Sequence, residues 1–78
     1  MTKRDKLIER IRQRPAVASF ADVRLLLEMF GWVHASTKGS HARFTKTGER
    51  SITIPVHVGK VKRVYLDQIC DRLGLDEN

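Results

Sequence analysis

Seventy-eight residues leave room for one domain with one core, and exclude a catalytic domain joined to a separate binding domain. A 41% hydrophobic and 31% charged composition is that of a folded chain, and a formal charge of +6 points to a polyanionic partner, either nucleic acid or an acidic protein surface. A single cysteine, Cys70, excludes an internal disulfide, no Cys/His cluster has metal-ligand spacing, and no apolar run approaches the length of a membrane span.

The charged start, 1–14, has no signal-peptide pattern, so a cytoplasmic location is expected. It reads as a helix over 2–14. Thr2 can cap it, and Asp5 falls in the first turn, where a carboxylate suits the helix dipole. Leu7, Ile8 and Ile11 make a narrow apolar stripe among many cations, so this helix is expected to be peripheral. Pro15 ends it. The segment 19–30 is a stronger helix, with Ser19 as N-cap and Asp22 as the acidic residue of a capping box. Val23, Leu26, Leu27 and Phe30 share one face, and Gly31 supplies the stop.

A short strand is expected over 32–36, a turn over 37–40, and a second strand over 41–46. In the second strand Ala42 and Phe44 face one way, and His41, Arg43 and Thr45 the other. Thr47, Gly48 and Glu49 form a hairpin loop. A third strand over 51–58 places Ile52, Ile54, Val56 and Val58 on one face and Ser51, Thr53, Pro55 and His57 on the other. Any register that keeps Phe44 with the isoleucines gathers His41, Arg43, Thr45 and Thr53 on the opposite face, with His57 joining them if the strand stays regular. Nothing apolar remains to cover that face, so it should be open to solvent. Pro55 cannot donate to a ladder and marks an edge or an irregularity.

The last helix spans 62–73. Leu66, Ile69, Cys70 and Leu73 form its apolar face, Cys70 reads as a small buried hydrophobe, and Gly74 stops the helix. Residues 76–78 read as a frayed tail. The whole is one α+β domain over 1–78: an additional helix over 1–14 and a core over 19–75. In that core the helices around Leu26 and Ile69 cover one face of a three-stranded antiparallel sheet.

Chemistry concentrates around Lys38-Gly39-Ser40-His41. An imidazole on an open basic face can give or take a proton near neutrality. Gly39 permits a sharp turn or close backbone approach, and Ser40 can bond the turn or a phosphate. Lys60, Lys62 and Arg63 stand at the start of the last helix, where cations oppose the dipole but suit a phosphate. Arg43, Lys46 and Arg50 could extend that surface along a phosphate backbone, although hairpin tips are often charged. Plainer readings fit other residues. Trp32 and Tyr65 read as packing residues, His34 as a surface strand residue, and the arginines of the first helix as a solvated face.

Gly39-Ser40-His41 with Phe44 after it, the run Ile52-Thr53-Ile54-Pro55-Val56-His57, and an ending with Leu66, Ile69 and Leu73-Gly74-Leu75 come in a set order. With a helix ending in Gly31-Trp32, they resemble the HicA family, small toxins of bacterial toxin–antitoxin pairs. The resemblance covers roughly residues 20–75. It implies a fold similar to the double-stranded-RNA-binding domain, an mRNA-cleaving endoribonuclease activity with no cofactor, and a HicB-like antitoxin that covers the site. By the same resemblance His41 is the catalytic histidine, and Gly39 and Ser40 are the motif's backbone positions. The basic residues before the last helix match in character only. The chain departs from the family in its extra first helix and in Ala42, where many members carry a second histidine or another polar residue.

The resulting expectation is a metal-independent ribonuclease, a monomer when free, whose substrate is mRNA. His41 acts as general base toward a ribose 2′-hydroxyl or as general acid to the leaving oxygen. Lys38, Gly39, Ser40, Arg43, Lys60, Lys62 and Arg63 hold the RNA. One histidine cannot fill both roles in one step, so water, Lys38 or His57 supplies the other. The rival expectations are a non-catalytic RNA-binding module on the same face, and a protein adaptor whose basic face meets an acidic partner.

Overall fold

The computed structural model describes residues 2–76. The order of elements is α1 (Lys3–Arg12), β1 (Val17–Ser19), α2 (Phe20–Met29), β2 (Val33–Lys38), β3 (His41–Thr45), β4 (Ile52–Pro55), β5 (Lys60–Lys62) and α3 (Arg63–Leu73). Strands β2, β3 and β4 form one antiparallel sheet in that order, and β1 pairs with β5 in a separate antiparallel ribbon. The fold is α+β. With the short β5 set aside, α2, the three-stranded sheet and α3 follow the helix, three strands, helix order of a double-stranded-RNA-binding domain, and α1 is the extra N-terminal helix.

The β1–β5 ribbon was not expected from the sequence. Each of its strands is three residues long, too short for alternation to register. Lys62 is accordingly not the first residue of the last helix. It is an extended N-cap with φ −77° and ψ 156°, and its side chain makes no capping bond. The ribbon turns Ala18 and Val61 into the core and leaves Val17, Lys60 and Lys62 exposed. It is tied to both neighbouring helices: the Phe20 N–H donates to the Gly59 carbonyl at 2.8 Å, and the Arg63 N–H to the Ala16 carbonyl at 3.1 Å.

Helix α1 starts with a complete capping box. The Asp5 N–H donates to Thr2 Oγ1 at 3.2 Å, and the Thr2 N–H to Asp5 Oδ2 at 3.3 Å. Such a cap contributes about 1 kcal/mol. The helix is not peripheral, as its thin stripe suggested. It packs against both α2 and α3, and Leu7 and Ile11 belong to the core, Ile11 with no exposed surface. Two well-placed residues suffice because they enter the seam between two helices. The helix ends at Arg12, before the expected Arg14. Arg14 precedes Pro15, a position where α geometry is disfavoured, and it adopts φ 54°.

Helices α2 and α3 follow their patterns. The Asp22 N–H donates to Ser19 Oγ at 3.2 Å, and Val23, Leu26 and Leu27 have no exposed surface. Leu66, Ile69 and Cys70 are equally buried in α3, which Gly74 ends at φ 68°. Burial pushes the Cys70 thiol up, with the nearby Arg14 charge partly opposing it. The thiol donates a weak bond to the Ile11 carbonyl at 3.8 Å, which joins α3 to α1. Trp32 is buried, with the Arg72 guanidinium 5.3 Å from its ring centroid.

The expected frayed tail over 76–78 is corrected at Asp76. The Arg14 guanidinium pairs with Asp67 at 2.5 Å and with Asp76 through both of its terminal nitrogens. That hydrogen bonding holds the Asp76 carboxyl below its ordinary value and pushes Arg14 further up. Glu77 and Asn78 lie outside the described residues.

Register in the sheet follows the packing argument. Phe44 pairs with Ile52, Ala42 with Ile54 and Arg43 with Thr53, so the apolar residues of β3 and β4 share one buried face. The third strand ends at Pro55, short of the expected Val58. Proline breaks the row of donors, and the Val56 N–H turns to the Ser40 carbonyl at 2.6 Å. His57 and Lys60 then close a tight two-residue turn, each N–H donating to the other's carbonyl at 2.9 and 2.8 Å. Val58 sits at its tip, 98% exposed and at φ 49°, not on the core face.

Candidate active site

The first strand of the sheet runs to Lys38, two residues beyond expectation, so the turn consists of Gly39 and Ser40 alone. Gly39 has φ 57°, the sign that a type II′ hairpin needs at its first central position. The cross-strand pair that closes the hairpin is Lys38 with His41. The Ser40 carbonyl, held by the Val56 N–H, fixes this end of the hairpin to the end of β4. His41 is therefore set by a tight turn on one side and by its pairing with Pro55 on the other.

A β-bulge lies one step further along. His34 pairs with Phe44, but Ser36 pairs with Arg43, which leaves Ala35 without a partner. The bulge reverses the alternation within β2. His34 lies on the core side, and its Nε2 bonds Thr37 Oγ1 at 2.7 Å. Ser36 and Lys38 are carried to the opposite side beside Arg43 and His41.

Five side chains then line one shallow depression of about 180 Å3: Ser36, Lys38, His41, Arg43 and Thr53. All five are exposed. Among the described residues, neither ring nitrogen of His41 has a hydrogen-bond partner, and Lys38 and Arg43 make no ion pair. No carboxylate lines the depression. The arrangement presents an imidazole for proton transfer between an ammonium and a guanidinium, the cations suited to a phosphodiester.

The distribution of charge makes the same point for the whole chain. Between residues 38 and 63 there are seven cations and one carboxylate, Glu49, while the eight cations outside are matched by eight carboxylates. The whole net charge thus resides in the strands and the start of α3. Among the described residues the acids that make ion pairs are on or next to the helices: Glu9 holds Arg12, Asp22 holds Arg10, Glu28 holds Arg24, and Asp67 and Asp76 hold Arg14.

Of the residues expected in the site, Lys38, His41 and Arg43 are brought together, and Gly39 and Ser40 form the turn that places them. Lys60, Lys62 and Arg63 are not part of the depression. Lys60 and Lys62 project from β5 and Arg63 opens α3, all three exposed. Lys60 is nonetheless connected to the site, through its pairing with His57 and the Val56–Ser40 bond. His57 leaves the open face because its strand has already ended. Thr45 is half-buried and does not line the depression.

Ser36 was not expected there. Only the bulge brings it round, and an alanine bulge has no sequence signature. His34 is not the surface residue expected. It is half-buried and stacks on Phe44 at 5.0 Å between ring centroids, with Phe20 edge-on at 5.5 Å. A polar residue before a run of small ones gives no hint of that aromatic cluster.

Residues 20–75 match the family model described as the HicA toxin of bacterial toxin-antitoxin. The chain belongs to the HicA toxin family. No curated protein and no solved structure matches it. HicA membership makes the protein a toxin of a toxin–antitoxin system, paired with an antitoxin. The matched span runs from the first residue of α2 to just beyond α3. It contains the turn, His41 and the basic strands, and it leaves out α1 and β1. Among the described residues no helix is long and apolar enough to cross a membrane.

Proposed function

We propose that this HicA-family chain is an endoribonuclease that cleaves mRNA by metal-independent acid–base catalysis through His41, and that a HicB-like antitoxin neutralises it by covering the same face. The observation that carries the reading is the pairing of His41 with Lys38 across a two-residue turn, with Arg43 in the same carboxylate-free depression. RNA supplies the nucleophile itself. His41 takes the proton from a ribose 2′-hydroxyl, and the 2′-oxygen bonds to phosphorus. The bond from phosphorus to the 5′-oxygen breaks, leaving a 2′,3′-cyclic phosphate and a 5′-hydroxyl end.

Arg43 and Lys38 stabilise the extra negative charge on the phosphoryl oxygens in the transition state. The departing oxygen needs a proton. Of the three donors expected, Lys38 has the best support, because it faces His41 across the turn while His57 has left the sheet. Ser36 and Thr53 offer hydroxyls to the sugar. Lys60, Lys62 and Arg63 hold phosphates further along the strand and position it without taking part in the chemistry.

The test compares the chain with His41→Ala for growth arrest on expression and for RNA cleavage in EDTA. The expected result is loss of both, with RNA binding and thermal stability retained, since His41 is exposed and makes no hydrogen bond. An alanine variant that remains toxic and cleaves at the original rate sinks the assignment. Tight RNA binding by the native protein with no cleavage product, with or without magnesium, would show a binding module instead.

A further inference from the structure

A concavity larger than the depression at His41 lies away from it. It lies between α1 and α2, about 470 Å3, floored by Leu7, Leu25 and Met29. A second depression of about 420 Å3 adjoins it, sharing Met29 and Arg4 and adding Ile8 and Phe30. Leu25 is 52% exposed, although Leu26 and Leu27 beside it have no exposed surface. The leucine run is thus wider than the core needs, and its spare member opens into the groove. Met29 is half-buried there, an adaptable side chain of the kind used where a surface must accommodate a guest.

The rim is cationic. Lys3, Arg4 and Lys6 line the groove and make no ion pair among the described residues, whereas Arg10 is satisfied by Asp22 at 2.9 Å. An apolar floor with an unpaired basic rim selects its occupant by charge. We infer that this groove is a docking site for an acidic amphipathic helix of a partner protein. The inference stands independently of the ribonuclease reading, and α1 lies outside the residues that match the family.

The other occupants fit less well. Nucleic acid would leave the apolar floor without a partner, and the chain already offers it a basic sheet face without one. A second copy would bring the same cationic rim against itself, between molecules of charge +6. A bilayer is too flat for a concave site. Two helices bound the groove, and the lining on α1 runs from Lys3 to Arg10. That span is about 11 Å, the length of two turns of helix. A third helix of two to three turns settles there with apolar residues at i, i+3, i+4 and i+7 inward and carboxylates toward the rim.

The probe is a synthetic helix-stapled peptide with leucines at i, i+3, i+4 and i+7 and glutamates elsewhere, compared with the same peptide carrying lysines for the glutamates. Binding is followed by fluorescence anisotropy, and its place by backbone amide shifts in the full chain. The expected result is binding of the glutamate peptide alone, with shifts at Lys6, Leu25 and Met29 and none at His41. Leu25→Ser and the double change Lys3→Glu with Lys6→Glu should each weaken binding about tenfold. Both variants should keep the melting temperature and the growth arrest of the native chain. Equal binding of the two peptides, no shift along α1 and α2, or affinity unchanged by Leu25→Ser overturns the inference. So does a shift of the α1 and α2 amides by RNA or by anionic vesicles, or a self-association that Leu25→Ser abolishes.

Discussion

The two faces of the β2–β3–β4 sheet are made by alternate residues of the same strands, yet they obey opposite rules. On one face Ala42, Phe44, Ile52 and Ile54 are buried under α2 and α3, and no buried polar side chain is left without a partner among the described residues. On the other, Ser36, Lys38, His41, Arg43 and Thr53 are exposed, with no ion pair and no apolar cover. The first face draws its free energy from water it has shed, and the second keeps its groups hydrated until a ligand arrives. Neighbours in sequence can therefore be changed with independent consequences for folding and for chemistry.

The sharpest way to break this division is Phe44→Ala. The ring is fully buried and touches His34 and Phe20, so the expected loss is about 3–5 kcal/mol. A chain of this length holds only about 4–12 kcal/mol in total, so urea titration should find the variant largely unfolded and its toxicity gone. Arg43→Ala, one residue away, should leave the urea midpoint where it was. It should weaken RNA binding and reduce the slope of log affinity against log salt by about 0.7, the share of one phosphate on a single strand. A large loss of stability from Arg43→Ala would show that the two faces are not separable.

Two smaller effects lie off the sheet. Val58 is a β-branched residue in left-handed geometry at a turn where asparagine before glycine is favoured. Val58→Asn should stabilise the fold by about 1 kcal/mol, seen as a rise of about 4–8 °C in melting temperature. The smallest effect concerns the Arg14–Asp76 pair. Asp76 has its carboxyl held below the ordinary 3.8, so the pair stabilises the fold above that value. The contribution fades as pH falls through the lowered folded value. Asp76→Asn should melt slightly earlier than the native chain at neutral pH, and the two should converge in strong acid.

Much of this was legible in the residues. The faces of α2 and α3 follow a 3.6-residue period, and the caps at Thr2, Ser19 and Gly74 announce themselves by type. The open face was legible because Phe44 and the isoleucines fix the register, and register assigns every neighbour. What escaped depended on partners distant in sequence. Pairing between Val17–Ser19 and Lys60–Lys62 joins segments some forty residues apart, each too short to show a pattern. The depth of α1 depended on the seam it enters, which no local count of apolar residues reveals. His57 does not join the open face because Pro55 ends its strand, so the regular alternation that would have carried it there stops two residues short.

Ala35 does not line the depression around His41, yet it sets which side chains do. A strand is read two residues at a time, and an unpaired residue acts on it as a frameshift acts on a message. Before Ala35 the frame delivers His34 to the core; after it, the same frame delivers Ser36 and Lys38 to His41 and Arg43. Pairing Ala35 with Arg43 would instead bring Ser36 opposite Ala42 and turn Ser36 and Lys38 to the core side, whereas removing Ala35 would leave His34 opposite Phe44 and Ser36 opposite Arg43 in an unbroken ladder. The composition of the open face is thus held by which residue of β2 goes unpaired as much as by the identity of those that pair.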